Sequence, residues 1–438
     1  MTSIINKFRT AFIFQFLLYG LCAFGQVSTA QSSIHQSIQS KTDEIFDSLV
    51  EIRRDFHKYP EVSEKEEKTS QKIEDYLLSL GLEVKTNIGG YGVVGILKGE
   101  KEGKRVAWRA DIDAISSDLP DVVHFESQNE GVRHICGHDV HITIGLGIAN
   151  VLASLKENLQ GSVYFVFQPA EEMNKGAKGM VDDGLFKLIN PDEIYGLHMS
   201  PYPVGTIATK SENVYAHFTF MEIEFKAPKD QESLINYTKQ IMRSAQTYGP
   251  NAKFWNNENL FSTELGVTNP NTIYKDYVAL MSDFSIEKSN ERVKLGVLVD
   301  ASNEEKLNEY LALIKNEIET SRYSEELISV KFNFEEGMPV METPMNDREL
   351  TDETLKSISN IYGKQSVIPL YGVPPLQFSD DFAHFQKFVP GVYYFLGGSN
   401  SEKGIVAMPH TPNFAVDEDA IKTGVNYFSS MIVERLKK

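Results

Sequence analysis

Apolar residues recur along the chain with two periods. Between 43 and 57, Ile45, Phe46, Leu49, Val50, Ile52 and Phe56 follow the three-and-four spacing of one helix face. Asp43 is placed to cap that helix and Pro60 to end it. A second helix is expected over 64–80, with Ile73, Tyr76, Leu77 and Leu80 on one side and Gly81 as its stop. Short apolar runs follow: Val84, the stretch 92–97 and the stretch 106–108 read as strands. A helix opens at Asp139 and turns Ile142, Leu146, Ala149, Leu152 and Leu155 inward. The run 163–167 is apolar without a break, as a strand covered on both faces should be. This alternation predicts an α/β layered domain, a central sheet flanked by helices.

The pattern changes near Tyr215. The stretch 217–225 alternates like a half-exposed strand, and 234–247 reads as a helix. Two or three strands are expected within 271–278 and 284–299, then a helix over 304–320 and a strand over 328–334. That order predicts a smaller α+β, ferredoxin-like unit inserted into the layered domain. After Gly337 the chain returns to it with strands in 369–378 and 392–395 and a closing helix over 418–436. The expected division is an export segment over 1–26, a leader over 27–42, the layered domain over 43–214 and 335–438, and the insert over 215–334.

The export reading rests on Lys7 and Arg9, the apolar run from Ala11 to Phe24, and small residues near Gly25 and Ala30. The run is short for a membrane span, so a periplasmic or secreted protein is expected, with an uncleaved anchor as the other reading. Removing this segment removes Cys22 and leaves Cys136 as the one cysteine, so no intramolecular disulfide forms. A hydrophobic share of 41% and a charged share of 24% are ordinary for a globular chain of 438 residues. The net charge of −18 argues against nucleic acid or an anionic membrane as partner.

Chemistry concentrates in the stretch 131–141, which holds Cys136, His138, Asp139 and His141. Thiolate, imidazole and carboxylate are the side chains that hold transition metals. Cys136 and His138 are two apart, so an extended backbone would aim both at one ion. His141, one turn on, reads as a ligand, a donor to a ligand, or a satisfied core histidine. Glu171 and Glu172 follow the 163–167 strand. On an extended backbone they point to opposite sides, one to hold metal and one to face the attacking water. Metal-assisted hydrolysis needs that division, since a free carboxylate must take the water's proton. His198 ends an apolar strand, where ligand sites gather in α/β sheets. His410 sits in a loop fixed by Pro409 and Pro412. Asp111 and Asp113 share a face and either bind metal or hold a ligating imidazole in place through a hydrogen bond, the second reading being preferred, chiefly for Asp113.

Taken together, the segments 109–114, 134–139, 167–172, 196–198, 379–382, 395–398 and 409–410 with 417–418 resemble the hippurate hydrolase and indoleacetyl-amino-acid hydrolase family of dinuclear metallopeptidases. The resemblance covers nearly all of the chain outside the insert and the leader. It implies a catalytic α/β domain split by a lid domain, often used for dimerisation, so a homodimer through the lid is expected. It implies two divalent metal ions (Zn, Mn, Co or Ni) on Cys136, His138, Glu172, His198 and His410, with Glu171 as general base. The implied reaction is hydrolysis of the amide bond of an N-acyl amino acid or small peptide.

The lid departs from the family pattern. The usual histidine-bearing segment after its first strand is here 225–232, Phe-Lys-Ala-Pro-Lys-Asp-Gln-Glu, with no histidine. His217 lies nearby but at the strand's start. The family's later Asn-Val-Ile-Pro-Asp corresponds to Asn271-Thr-Ile-Tyr-Lys-Asp276, which makes Asn271 the candidate oxyanion or substrate contact. Losing one oxyanion donor costs about 100–1,000-fold in rate. A binding protein that kept the pocket without turnover is therefore the alternative reading. A redox or nucleophilic enzyme built on Cys136 is a third.

Overall fold

The computed structural model describes residues 33–333, 343–375 and 379–437. The expected export segment 1–26 lies outside them. Two sheets carry the fold. The larger has eight strands in the order Glu83–Ile88, Gly92–Lys98, Gln160–Gln168, Lys101–Asp111, Glu193–Pro203, Gly391–Ser399, Ile207–Thr209 and Val367–Pro369. Its middle is parallel: Lys101–Asp111 pairs in parallel with both Gln160–Gln168 and Glu193–Pro203, and Glu193–Pro203 with Gly391–Ser399. The outer strands on the Glu83–Ile88 side are antiparallel. Central strands buried on both faces need apolar side chains throughout, and Val163, Phe165, Val166 and Phe167 are all buried.

Helices His138–Ser154 and Asp419–Leu436 pack on each other and on the middle of this sheet. Gly147 and Gly424 permit the close approach. A Cβ on Gly147 would meet Val425 Cγ2 at 2.5 Å, and one on Gly424 would meet Ile144 Cδ1 at 2.7 Å. The first helix spans 33–58, so the segment expected to be a frayed leader is helical, and Asp43 lies within the helix rather than at its cap. The cause is tertiary: Ile38 is fully buried, and His35 reaches Ser430 Oγ at 3.1 Å and Glu434 Oε1 at 3.1 Å on the closing helix.

The smaller sheet orders Val278–Leu280, Arg292–Ala301, His217–Lys226 and Leu327–Asn333, all antiparallel, with Ser285–Lys288 also on Arg292–Ala301. Helices Gln231–Ala245 and Glu304–Glu319 complete the ferredoxin-like order. Asp230 and Asn303 cap them, accepting from the backbone N–H of Ser233 and Lys306. This unit has its own core, built on Ile223, Phe225, Leu234, Val297 and Ile314.

Two strand expectations fail, for one reason. The stretch 271–277 is turns, with Asn269 Oδ1 accepting from Asn271 N at 2.7 Å and Thr272 Oγ1 donating to the Leu265 carbonyl at 2.8 Å. The stretch 370–375 is loop after Val367–Pro369. Asn/Thr turns and Pro374-Pro375 remove both from ladders. The two loops instead join each other: Tyr371 N donates to the Val267 carbonyl at 2.8 Å and Val373 N to the Tyr274 carbonyl at 3.0 Å. Around that junction Phe254, Leu260, Val267, Tyr274 and Tyr277 pack on Tyr202, Leu370 and Val373, a core between the two sheets. Among the described residues no helix is long and apolar enough to cross a membrane.

Candidate metal centre

The candidate ligands come from the turn after Gln160–Gln168 (Glu172), the start of the helix His138–Ser154 with Cys136 just before it, the loop holding His410, and the middle of Glu193–Pro203. His198 lies within that last strand rather than ending it as expected. Cys136 is followed by Gly137 at φ +98°, and the helix His138–Ser154 begins directly after it. The backbone here is therefore a left-handed corner, not the extended segment expected. Glycine is required for that corner, because a Cβ would also meet Met199 Cγ at 2.9 Å. Glu171 and Glu172 lie in a turn after Ala170 at φ +51°, so they do not face opposite ways. Both carboxylates reach toward His138 Nε2, Glu171 Oε2 at 3.8 Å and Glu172 Oε1 at 3.7 Å. His410 also has a positive φ, +58°, and its Nε2 lies 3.4 Å from Glu172 Oε1. Strained non-glycine backbone of this kind clusters at functional sites.

These donor atoms form overlapping groups. Cys136, His138 and His198 present ligand atoms within 4.8 Å of one another, and so do Cys136, Glu172 and His410. A third group joins His138, Glu171 and Glu172. Cys136 is common to the first two, and its Sγ lies 3.2 Å from His198 Nε2. Hydrogen bonds decide which imidazole atoms face the centre. His138 donates through Nδ1 to the Asp113 carbonyl at 2.8 Å, and His198 through Nδ1 to the Met199 carbonyl at 2.8 Å. Each is left with Nε2 for an ion. His138 Nε2 is buried with no hydrogen-bond partner. An orphaned imidazole nitrogen among a thiol and two carboxylates fits a divalent cation.

His141 is occupied at both nitrogens. It accepts from Met199 N at 2.8 Å and donates through Nδ1 to Asp111 Oδ1 at 2.5 Å. Of its three readings, the satisfied core histidine holds. Asp111 thus hydrogen-bonds His141, lies 3.8 Å from Nδ1 of the candidate ligand His138, and also pairs with the Arg109 guanidinium at 2.6 Å. Asp113 meets the centre in two ways. Its carbonyl orients His138, and its Oδ2 accepts from Glu172 N at 3.0 Å and from Ser63 Oγ at 2.6 Å. Asn271 is exposed and is not among the residues lining the cavity above the centre.

The charges at the centre are mutually unfavourable. Burial, then Asp380 and Glu172, push Glu171 well above the usual carboxylate range. Burial, Glu172 and Glu171 push the Cys136 thiol up as well. Burial lowers His138, but Asp111, Asp113 and Glu172 outweigh it and hold the imidazole at about 10. A bound cation would offset the crowded anions and take the place of the proton on His138 Nε2.

Sequence reasoning gave no role to several residues near the centre. Glu66 is buried and its Oε1 accepts from Ala170 N at 2.8 Å, holding the strained peptide just before Glu171. Arg109 is fully buried against Asp111, Asp380 and Asp381. Burial holds Asp381 at about 8 although Arg109 pulls it down. Glu171, Asp380 and Asp381 bring carboxylate oxygens within 4.8 Å of one another. A buried arginine next to three aspartates is a contact across distant segments, so no local pattern signals it. Above the centre opens a cavity of about 670 Å³, with Met199, Tyr202, Tyr215, Leu260, Phe261 and Phe395 among its walls.

This fold, with its thiol, imidazole and carboxylate groups gathered around one point, is that of a metal-dependent amide-bond hydrolase. Residues 107–434 match the model of Peptidase family M20/M25/M40, and the chain belongs to that family. Thermostable carboxypeptidase 1 of Saccharolobus solfataricus is 32% identical over 400 residues, covering 89% of this chain and 95% of the relative. IAA-amino acid hydrolase ILR1-like 4 of Arabidopsis thaliana is 28% identical, covering 91% of this chain and 88% of the relative. The fold is shared with the Bacillus subtilis YXEP protein, described as a dinuclear metal binding peptidase from the M20 family. That match has a TM-score of 0.68 at 24% identity and covers 90% of this chain and 99% of the other.

Proposed function

We propose that this hydrolase cleaves the amide bond of N-acyl amino acids or small peptides with an apolar acyl group. Cys136, His138, Glu172, His198 and His410 hold two divalent ions, and Glu171 is the general base. The observation that carries this is the sharing of Cys136 between two donor groups, with Glu171 in a third beside His138 and Glu172. The names of the relatives, a carboxypeptidase and an IAA-amino acid hydrolase, support an amino acid as the leaving group. Zinc, manganese, cobalt and nickel all suit such a mixed donor set.

Divalent ions held there would polarise the amide carbonyl and lower the pKa of the attacking water. Glu171 accepts that water's proton and returns it to the leaving nitrogen. Its carboxylate is grouped with His138 and Glu172, which puts it beside the water that the ions would activate. Glu66 and Asp113 hold the backbone of the Glu171-Glu172 turn from its two ends. The apolar wall of Leu260, Phe261 and Val267 receives the acyl group and keeps bulk water from the carboxylates. A homodimer through the smaller sheet and export beyond the cytoplasm are part of the proposal. The first is supported by the family resemblance and the second by the basic start and apolar run of residues 7–24.

The test is turnover of a panel of N-acyl amino acids and dipeptides by metal-free protein, with each of the four ions added back. Metal-restored cleavage is expected, and Glu171→Gln should abolish it while retaining the metal. Full activity in Glu171→Gln would remove the assigned role. Light scattering on the same samples checks the dimer, and a monomer at micromolar concentration refutes it.

A further inference from the structure

Amide hydrolysis places negative charge on the carbonyl oxygen, and donors fixed in advance toward that oxygen are usually the largest source of rate. Besides the candidate ligands, the cavity lining offers side-chain donors from Asn174, Ser200, Tyr202, Tyr215 and Ser379. Ser200 donates to the Leu396 carbonyl at 2.9 Å, and Ser379 to Asn174 Oδ1 at 3.3 Å. Tyr202 and Tyr215 remain as the two buried phenols.

The two phenols differ in their surroundings. Burial raises the Tyr202 hydroxyl, and its ring stands edge-on to Phe261 on the apolar wall, with centroids 6.0 Å apart. Burial also raises Tyr215, but Asp380, Glu171 and Cys136 act on it as well. Tyr215 neighbours Tyr393, whose hydroxyl donates to Asp380, and Asp380 is grouped with Glu171; Tyr202 has no such link to the centre among the described contacts. The Tyr215 ring stands edge-on to Phe395 with centroids 5.4 Å apart and lies 6.2 Å from the Tyr393 ring. Its hydroxyl shares a hydrogen bond with the Tyr393 hydroxyl. Tyr393 in turn donates to Asp380 Oδ2, and Asp380 Oδ1 is paired with Arg109 at 3.1 Å.

We propose that Tyr215 is a catalytic residue whose hydroxyl donates a hydrogen bond to the substrate carbonyl oxygen as it gains negative charge, with Tyr393 and Asp380 setting its direction. The inference rests on the hydrolase reading above. Because Tyr393 gives its own proton to Asp380, the bond between the two phenols uses the Tyr215 proton. A substrate oxygen gains that proton by rotation about the Tyr215 C–O bond, with no movement of the ring.

The test is Tyr215→Phe, which keeps the ring against Phe395 and removes the hydroxyl. Calorimetry on metal-loaded protein compares two isosteres of N-benzoylglycine, a tetrahedral phosphinate and a planar urea, and turnover is measured on the acyl panel. The variant should lose about 100–1,000-fold in kcat and in phosphinate affinity, with urea affinity and metal content unchanged. Unchanged kcat and phosphinate affinity, or equal losses on both isosteres, overturn the role of Tyr215 while leaving the hydrolase reading standing. No turnover by the parent chain, with no preference for the phosphinate, overturns the hydrolase reading and this one with it.

Discussion

Glu66→Gln should remove one pH-dependent contribution to the stability of the fold. Glu66 is fully buried, its Oε1 accepts from Ala170 N, and its Oε2 has no partner. Burial raises its pKa from 4.5 to about 7, against the opposing pull of the Ala170 N–H and with a further push from Asp113. A rise of that size corresponds to roughly 3 kcal/mol. The sign follows from linkage. The folded chain binds this proton more tightly than the unfolded chain, so the contribution is complete below pH 4.5 and is lost as pH rises to about 7. Above pH 7 the ionised carboxylate destabilises the fold by about 3 kcal/mol. Glutamine keeps an oxygen for Ala170 and carries no charge. The stability of the variant relative to the parent should therefore rise by about 3 kcal/mol between pH 4.5 and pH 8. Urea unfolding of metal-free protein at several pH values measures it. A constant difference between the two proteins across that range refutes the reasoning. The site is relevant to function because the same carboxylate holds the strained peptide before Glu171.

Arg109→Met leaves Asp111, Asp380 and Asp381 buried without their cation and should cost about 3–5 kcal/mol in urea unfolding; a loss under about 1 kcal/mol would show that the aspartates do not depend on it. Phe254→Ala empties the core between the two sheets, where its ring lies 4.6 Å from Tyr248 and 4.8 Å from Tyr277. Calorimetry should show a loss of about 3–5 kcal/mol. The KM for apolar acyl substrates should rise, because Leu260 and Phe261 share that loop; an unchanged KM would remove the loop from substrate binding. Cys136 in chelated, folded protein should react with a neutral-pH alkylating reagent at least about tenfold more slowly than a free thiol, since burial and the two glutamates keep it protonated. Reaction at the rate of the unfolded chain would favour a nucleophilic role for that thiol.

The readings that came from the chain alone are local or short in range. The periods of 133–168 and 217–333 were enough for an α/β layer and an inserted α+β unit, because each helix and strand buries one face and its residues must repeat to do so. The candidate metal groups were legible because thiol, imidazole and carboxylate side chains beside apolar runs have few other uses. Where the sequence misled, a contact between distant segments had won. The leader is helical because His35 and Ile38 dock beside the closing helix. The Glu171-Glu172 pair converges rather than diverges because Glu66, more than a hundred residues earlier, fixes the preceding peptide. His141 is spent on Asp111 and the Met199 amide, which no spacing rule reveals. The loops around Asn271 and Tyr371 look like strands alone and become one cavity wall only when they meet. Local pattern fixes which face of an element is buried. Which buried polar groups satisfy one another is decided only when the elements are brought together, because a hydrogen bond or an ion pair needs both partners in place.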